Sequence, residues 1–148
     1  MVFRSHMDIA LDEARAAAAR GEVPVGAVII RDGAVIAKAG NRTRETNDPT
    51  AHAEMLVIRA ACATLKQERL TGCDLYVTLE PCPMCAAAIS NARIARLYYA
   101  AADPKSGGVA QGPRIFTHPQ CHHKPEVYDA INAAAAEQLL RDFFTHRR

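Results

Sequence analysis

Two short motifs combine residue types that bind metals and move protons. They are His52-Ala53-Glu54 and Pro81-Cys82-Pro83-Met84-Cys85. Cys82 and Cys85 are three residues apart, so on a helix they share one face and can reach the same ion. Taken alone, this pair is also typical of a thioredoxin-like redox centre or of one half of a zinc ribbon. A ribbon needs a second such pair, and the three remaining cysteines are too far apart to form it: Cys62, Cys73 and Cys121.

His52 favours a catalytic zinc site over both of those alternatives. One histidine and two thiolates are three zinc ligands, which leaves the fourth tetrahedral position open for water. Because two thiolates cancel the charge of Zn²⁺, a base beside the water is needed to activate it. Glu54 lies two residues from His52, where it can reach the water without binding the metal. Zinc, water and a carboxylate that accepts and returns a proton together make a hydrolytic site.

The elements that must position these motifs follow from the hydrophobic pattern. Helices are predicted over Ser5–Arg20, Thr50–Leu65, Pro81–Arg93 and Ala133–Phe144. Strands are predicted over Val23–Ile30, Val35–Ala39, Leu75–Leu79, Ala95–Ala101 and Glu126–Ile131. Helices that alternate with strands imply a sheet covered on both faces, which is an α/β/α sandwich. Both motifs then fall at the start of a helix, so two helix N-termini could converge on one ion.

Local signals support several boundaries of these elements. Ser5 followed by Asp8 resembles a capping box at the start of the first helix. Asp32-Gly33 between two β-branched runs is a strong hairpin signal. Thr50, directly after Pro49, is the expected N-cap of the second helix.

Length, charge and cysteine content exclude several classes of protein. The chain of 148 residues is expected to form one domain over residues 1–148. A formal net charge of +2 argues against a strongly basic, non-specific nucleic-acid binder. Neither a membrane helix nor a signal peptide is expected, because the apolar runs are short and the first twenty residues carry several charges. The odd number of cysteines, 5, fits reduced thiols and a cytoplasmic location.

The two motifs and their surroundings resemble a known family. His-Ala-Glu followed by Pro-Cys-x-x-Cys is the signature of zinc-dependent nucleobase deaminases. The wider pattern resembles the bacterial tRNA-specific adenosine deaminases of the cytidine/deoxycytidylate deaminase superfamily. The matching stretches are Glu22–Val28, Asn41-Arg42, Asp48–Glu54, Leu75–Cys82 and Asp142–Phe144. The resemblance covers nearly the whole chain and is weakest over Gly107–Ile131, where this sequence departs from the family's usual loop.

The resemblance implies a fold, a reaction and a cofactor. The expected fold is cytidine deaminase-like, a three-layer α/β/α sandwich with a central mixed five-stranded sheet. The expected reaction turns adenosine into inosine at the wobble position of tRNA, with zinc-bound hydroxide attacking C6 and Glu54 as proton shuttle. One Zn²⁺ per subunit would be held by His52, Cys82 and Cys85. The implied partners are the anticodon loop of an arginine tRNA and a second copy of the chain in a homodimer.

The resemblance also implies a set of substrate contacts. Asn41 matches the family asparagine that hydrogen-bonds the target nucleoside. Expected contacts to the nucleotide or to the RNA come from the residues Ala53, Asp103, Lys105, Phe143 and Arg147.

Three other interpretations stay open at the level of sequence. The same zinc ligands would serve a deaminase of a free base or nucleoside such as cytosine, guanine or cytidine. A non-catalytic zinc-stabilised RNA-binding protein is disfavoured, because a structural zinc site has no use for a carboxylate such as Glu54. Cys121-His122-His123 could contribute to a second metal site, although loop packing or RNA contact is the simpler interpretation.

Overall fold

The fold consists of four α-helices and five strands, seen in a computed structural model that describes residues 5–146. The helices are α1 His6–Ala19, α2 Ala53–Leu65, α3 Pro83–Asn91 and α4 Ala133–His146. The strands are β1 Gly26–Arg31, β2 Ala34–Gly40, β3 Asp74–Leu79, β4 Arg96–Ala101 and β5 Glu126–Tyr128. A short 3₁₀ helix at Ile115–Thr117 interrupts the long connection between β4 and β5, which the sequence predicted to be a plain loop.

The five strands form one mixed sheet in the order β2-β1-β3-β4-β5. β1 pairs antiparallel with both β2 and β3, whereas β3, β4 and β5 run parallel. The turn between β1 and β2 is the predicted Asp32-Gly33 pair, and both residues have positive φ, at 51° and 78°. Two successive positive φ values characterise the type I′ hairpin turn, which Asp-Gly sequences favour.

Helices cover both faces of the sheet, so the three-layer α/β/α prediction is confirmed. On one face, Val57 of α2 and Ile89 of α3 pack against Leu75 of β3 in the larger buried cluster. On the other face, α1 and α4 cover a smaller cluster around Val28 and Ala100. None of the helices within residues 5–146 is both long and apolar enough to cross a membrane.

The helices that carry the two motifs begin later than the sequence predicted. Thr50 does not cap α2, because its amide and hydroxyl both donate to Asp48 in the preceding turn. The N-cap of α2 is instead His52. The N-cap of α3 is Cys82, so the helix begins at Pro83 and not at Pro81. Proline is common at the first position of a helix. Both shifts place a predicted zinc ligand at the N-cap of its helix.

The start of α1 agrees with the sequence in detail. Ser5 is the N-cap, and its hydroxyl accepts a hydrogen bond from the Asp8 amide, while the Asp8 carboxylate accepts one from the Ser5 amide. This is the predicted capping box. Strand ends agree less well: β1 begins at Gly26 and not at Val23, and β5 ends at Tyr128 and not at Ile131.

Candidate active site

The three predicted zinc ligands meet where the N-termini of α2 and α3 converge. His52 is the N-cap of α2, Cys82 is the N-cap of α3, and Cys85 lies in the first turn of α3. Neither N-cap side chain makes the usual capping hydrogen bond to its own helix. Both side chains point instead toward the same point in space. The ligand atoms of the three residues all lie within 4.8 Å of one another.

The separations between these atoms suit a tetrahedral zinc ion. His52 Nδ1 lies 3.5 Å from Cys85 Sγ and 3.7 Å from Cys82 Sγ. Zinc bonds of about 2.3 Å to sulfur and about 2.0–2.1 Å to nitrogen, at tetrahedral angles, put nitrogen and sulfur about 3.6 Å apart. One histidine nitrogen and two thiol sulfurs are also ligand types that zinc prefers. The donor set therefore fits zinc in both chemistry and spacing.

The two thiols shift each other's pKa in opposite directions. A hydrogen bond from Cys85 lowers the pKa of Cys82 to about 4, and a hydrogen bond to His52 acts in the same direction. The bond to Cys82, together with burial, raises the pKa of Cys85. The bond to Cys82 likewise raises the pKa of His52. Of the two thiols, Cys82 is the one whose thiolate is favoured without a metal, and a bound cation would favour deprotonation of both.

Glu54 lies in the first turn of α2, two residues after His52, and is only 4% exposed. Burial raises the pKa of Glu54 to about 7, and nearby His52 opposes the rise. A carboxyl group whose pKa lies near neutrality can both accept and release a proton under working conditions. Its side chain nevertheless lines the same cavity as His52 and Cys82, so it is accessible to a ligand there.

The cavity above the ligands has a volume of about 230 Å³. The predicted substrate residues Asn41 and Asp103 both contribute to its wall, as do Thr43 and Ser106. Asn41 follows β2, is 7% exposed, and its side-chain amide donates to the Thr43 hydroxyl at 3.4 Å. The structure therefore brings Asn41 and Asp103 together with Glu54 and the zinc ligands.

The other predicted substrate residues lie elsewhere. Ala53 is fully buried in the core cluster beneath α2. Lys105 is exposed beside a second cavity of about 540 Å³, which shares Asp103 and Ser106 with the first. Arg147 lies outside the described residues.

The aromatic pair near the end of α4 has two different environments. Phe143 is 8% exposed, and the Arg44 guanidinium lies 5.9 Å from the centre of its ring. Phe144 is 54% exposed and lines the second cavity beside Lys105. The aromatic residue that faces this cavity is thus Phe144, the neighbour of the predicted contact Phe143. Successive residues point about 100° apart around a helix axis, so the rotation of α4 decides which of the two rings faces the cavity. The sequence alone does not give that rotation.

Two buried carboxylates beside the cavity were not predicted as functional residues. Glu80 is 2% exposed and accepts hydrogen bonds from four backbone amides of the connection that follows β4. Glu22 is 1% exposed and accepts bonds from the amides of Arg44 and Glu45, in the loop that follows β2. Both glutamates lie in stretches that carry the family resemblance. A charged residue at the end of an apolar strand pattern was the available signal.

Cys121-His122-His123 does not assemble into a second metal site in the part of the chain that is described. There, His52, Cys82 and Cys85 are the only group of three ligand-type side chains close enough to share an ion. The Cys121 thiol donates to the His123 carbonyl at 3.1 Å, and His123 Nε2 lies 2.6 Å from the Ile94 carbonyl oxygen. These contacts agree with loop packing.

Comparison with known proteins identifies the family. The model of the cytidine and deoxycytidylate deaminase zinc-binding region matches residues 3–101. A tRNA-specific adenosine deaminase from Agrobacterium fabrum is 60% identical over 149 residues, which is 100% of this chain and 98% of that protein. This chain belongs to the tRNA-specific adenosine deaminase family.

Solved structures agree with this placement. A structure from studies of A-to-I editing by tRNA:A34 deaminases at the wobble position of transfer RNA has a TM-score of 0.90 and 61% identity. The match covers 91% of this chain and 98% of that one. Guanine deaminase from Bacillus subtilis is less similar, with a TM-score of 0.67 and 34% identity over 99% of this chain and 94% of its own.

Membership in the deaminase family, together with the donor set, establishes the cofactor as one zinc ion per subunit. The assignment of Cys82 and Cys85 as zinc ligands replaces their interpretation as a redox pair. In this deaminase, both thiols point at His52 and not only at each other.

Proposed function

We propose that this protein hydrolytically deaminates adenosine to inosine at the wobble position of tRNA. The observation that carries the proposal is one small cavity that combines a His-Cys-Cys zinc donor set with a buried carboxylate, Glu54. The cavity occurs in a chain that aligns over its full length with a tRNA-specific adenosine deaminase. We further propose that residues 1–148 act as a single domain, in the cytoplasm, and as a homodimer.

The size of the cavity indicates what enters it. Its volume of about 230 Å³ lies below the roughly 300–1,000 Å³ of pockets for drug-sized ligands. A single base fits such a site only after it has left its stack, as in other enzymes that act on bases. The anticodon loop offers unpaired bases, whereas a helical stem does not.

The neighbouring cavity indicates a substrate larger than a nucleoside. This cavity has a volume of about 540 Å³, shares wall residues with the first cavity, and is bordered by Lys105 and Phe144. An exposed aromatic ring can stack on a base, and a lysine ammonium can approach a phosphate. Flanking nucleotides of an RNA loop are the occupants that suit both groups.

The residues of the site take distinct parts in the reaction. His52, Cys82 and Cys85 hold zinc, which supplies a Lewis acid that makes a bound water nucleophilic at neutral pH. Glu54 would accept a proton from the attacking water and deliver it to N1 of the adenine. It would then take the second proton from the hydroxyl group now on C6 and give it to the amine, which leaves as ammonia. The amide of Asn41 hydrogen-bonds the nucleoside and orients C6 toward the water. Burial of Glu54 excludes bulk water from these proton transfers.

A deaminase of free bases is the alternative with the same zinc site. The 34% identity to guanine deaminase shows that relatives of this fold include such an enzyme. The second cavity with its exposed Phe144 favours the RNA substrate, because a free base would fill only the first cavity. We propose an arginine tRNA as the substrate.

The decisive experiment uses the purified zinc-loaded protein and an arginine tRNA transcript with adenosine at the wobble position. Inosine pairs as guanosine, so reverse transcription and sequencing will show an A-to-G change at that single position. The same transcript with guanosine at that position, and wild-type substrate with Glu54→Gln, are the controls. Brisk release of ammonia from guanine or cytosine, with no inosine in any tRNA, would instead assign the protein to the free-base enzymes.

A further inference from the structure

We propose that Glu80 is a positioning residue that holds one wall of the reaction cavity in its working shape. Glu80 directly follows β3 and precedes the segment that carries Cys82. Its Oε1 accepts a hydrogen bond from the Asp103 amide at 3.1 Å. Its Oε2 accepts three more, from the amides of Val109, Ala110 and Gln111, at 2.9–3.1 Å. One buried carboxyl group thus fixes both ends of the 103–111 connection.

The connection lies so close to Glu80 that only glycine fits between them. A Cβ atom on Gly107 would lie 2.6 Å from the Glu80 carboxyl carbon and 2.6 Å from the Asp103 carbonyl oxygen. The next residue, Gly108, approaches Pro83 and Cys82 just as closely, and its amide donates to the Pro81 carbonyl at 2.8 Å. The connection therefore rests directly on the segment that supplies a zinc ligand.

The hydrogen bonds continue from Glu80 into the surface that receives the substrate. The amide of Asp103 is held by Glu80, and the Asp103 carboxylate in turn accepts bonds from the amides of Lys105 and Ser106. Both Asp103 and Ser106 line the reaction cavity. This inference rests on the proposed function only for the identity of the substrate, since the contacts themselves do not depend on it.

The arrangement assigns Glu80 a role in binding and not in proton transfer. Its four hydrogen bonds are accepted from backbone amides of one connection, and Glu54 already occupies the position for proton transfer. Loss of the Glu80 charge should therefore disturb how the substrate is held and should leave the zinc ligands in place. A carboxamide cannot satisfy all four amides, because only one of its two heavy atoms is an acceptor.

The test compares Glu80→Gln with wild type by amide hydrogen exchange in the zinc-loaded protein without substrate. If the side-chain oxygen of the variant accepts from the backbone amides of residues 109–111, its NH₂ group faces the backbone amide of Asp103. Two hydrogen-bond donors then face each other, and the bond to Asp103 is lost. We expect exchange of residues 103–111 to accelerate by about tenfold to hundredfold, the equivalent of one charge-assisted hydrogen bond. Asp74→Asn is the matched control, since Asp74 lies at the other end of β3 and faces Arg96.

Kinetics on an anticodon stem-loop provide the second measurement. We expect Glu80→Gln to raise KM by about tenfold while kcat changes by less than threefold and zinc content stays at one per chain. If Glu80→Gln does not fold, Glu80→Asp gives the same comparison, because its shorter side chain keeps the charge but cannot reach both ends of the connection.

Three results would overturn the proposal: unchanged exchange in residues 103–111, loss of zinc, or a lower Tm with wild-type KM. If wild-type protein forms no inosine in the stem-loop, the proposed function fails, and the exchange measurement still decides the role of Glu80.

Discussion

At the residue scale, the site depends on N-cap residues that do not cap. His52 and Cys82 each occupy the N-cap position, where a side chain normally bonds a free backbone amide of the first turn. Here both side chains are directed to the shared metal position. The partial positive charge at each helix N-terminus favours a thiolate over a thiol, which agrees with the lowered pKa of Cys82. The helix ends thus prepare the ligands for zinc.

Removal of either thiol ligand should remove the metal. We expect Cys82→Ala and Cys85→Ala to contain much less than one zinc per chain, to lose deaminase activity and to unfold at lower temperature, because metal binding stabilises the folded site. Metal analysis by mass spectrometry and thermal unfolding measure these effects. Cys62→Ala is the matched control: Cys62 lies on α2, outside the ligand group, and this variant should keep its zinc. Full activity in metal-free protein would contradict the assignment.

The carboxylate of Glu54 should be needed for turnover and not for metal binding. Glu54→Gln preserves shape while it removes the proton acceptor, so zinc content and fold should persist. General acid–base groups contribute about 10²–10⁴-fold, and Glu54 is proposed to act more than once per cycle, so the loss of kcat should reach about 10⁴-fold or more. Single-turnover assays and metal analysis measure the two effects separately. A variant that loses zinc as readily as Cys82→Ala would make Glu54 a ligand.

Residues whose function depends on local sequence were predictable, and those that depend on tertiary contacts were not. His52, Glu54, Cys82 and Cys85 lie in two short motifs whose spacing limits what they can do. Glu80 acts on amides 23–31 positions away in the chain, and no local pattern encodes that distance. The different exposures of Phe143 and Phe144 likewise follow from how α4 is rotated against its neighbours.

At the scale of elements, the order of the helices and strands and their arrangement in three layers were predictable from the sequence. The residues at which several elements begin depended instead on hydrogen bonds made in the folded chain. The capping box at Ser5 and the Asp32-Gly33 turn are local, and both appear as predicted. The start of α2 moved to Ala53 because Asp48 binds the amide and hydroxyl of Thr50. The 3₁₀ turn at Ile115–Thr117 has no strong local signal, and its first amide donates to the Gly108 carbonyl.

The connection from Asp103 to Gln111 should tolerate no side chain at Gly107. Gly107→Ala would place a methyl group 2.6 Å from the Glu80 carboxyl group and from a backbone oxygen, so the connection must move. We expect a loss of about 1–3 kcal/mol in unfolding free energy, typical of overpacking, and weaker binding of an anticodon stem-loop. Denaturant unfolding and fluorescence anisotropy measure the two quantities. Gly72→Ala is a useful comparison, since its new methyl group would have no neighbouring atom within 4 Å, although the φ of +79° at Gly72 is itself strained for alanine.

The two phenylalanines of α4 should separate stability from RNA binding. Phe144 is exposed at the second cavity, so Phe144→Ala should leave Tm nearly unchanged and weaken stem-loop binding by about fivefold or more, as expected from one lost base–aromatic stack. Phe143 is buried, and Phe143→Ala should cost about 3 kcal/mol of stability. Thermal unfolding and RNA titration of both variants provide the comparison. Equal loss of RNA affinity in the two variants, after correction for unfolded protein, would contradict this division.

At the scale of the whole molecule, two segments that are distant in sequence line one cavity. Glu22 fixes the loop that follows β2, and Glu80 fixes the connection that follows β4. Asn41 and Asp103 both line the cavity, and each belongs to one of these two fixed segments. The formal net charge of +2 is small, so affinity for RNA must come from a few placed groups and not from a general positive field.

Substrate length should consequently affect turnover and not only affinity. Contacts remote from the reacting carbon supply binding energy that orients the reacting group, so a truncated substrate loses kcat as well as affinity. In the proposed binding mode, free adenosine would fill only the first cavity and should be a very poor substrate, whereas a short anticodon stem-loop would also reach Phe144 and Lys105 of the second cavity. Inosine formation is measured for both substrates at saturating and subsaturating concentrations, with Phe144→Ala alongside wild type. Phe144→Ala should reduce the advantage of the stem-loop and leave the slow reaction of free adenosine unchanged, and equal turnover of the two substrates by wild type would assign the second cavity no part in catalysis.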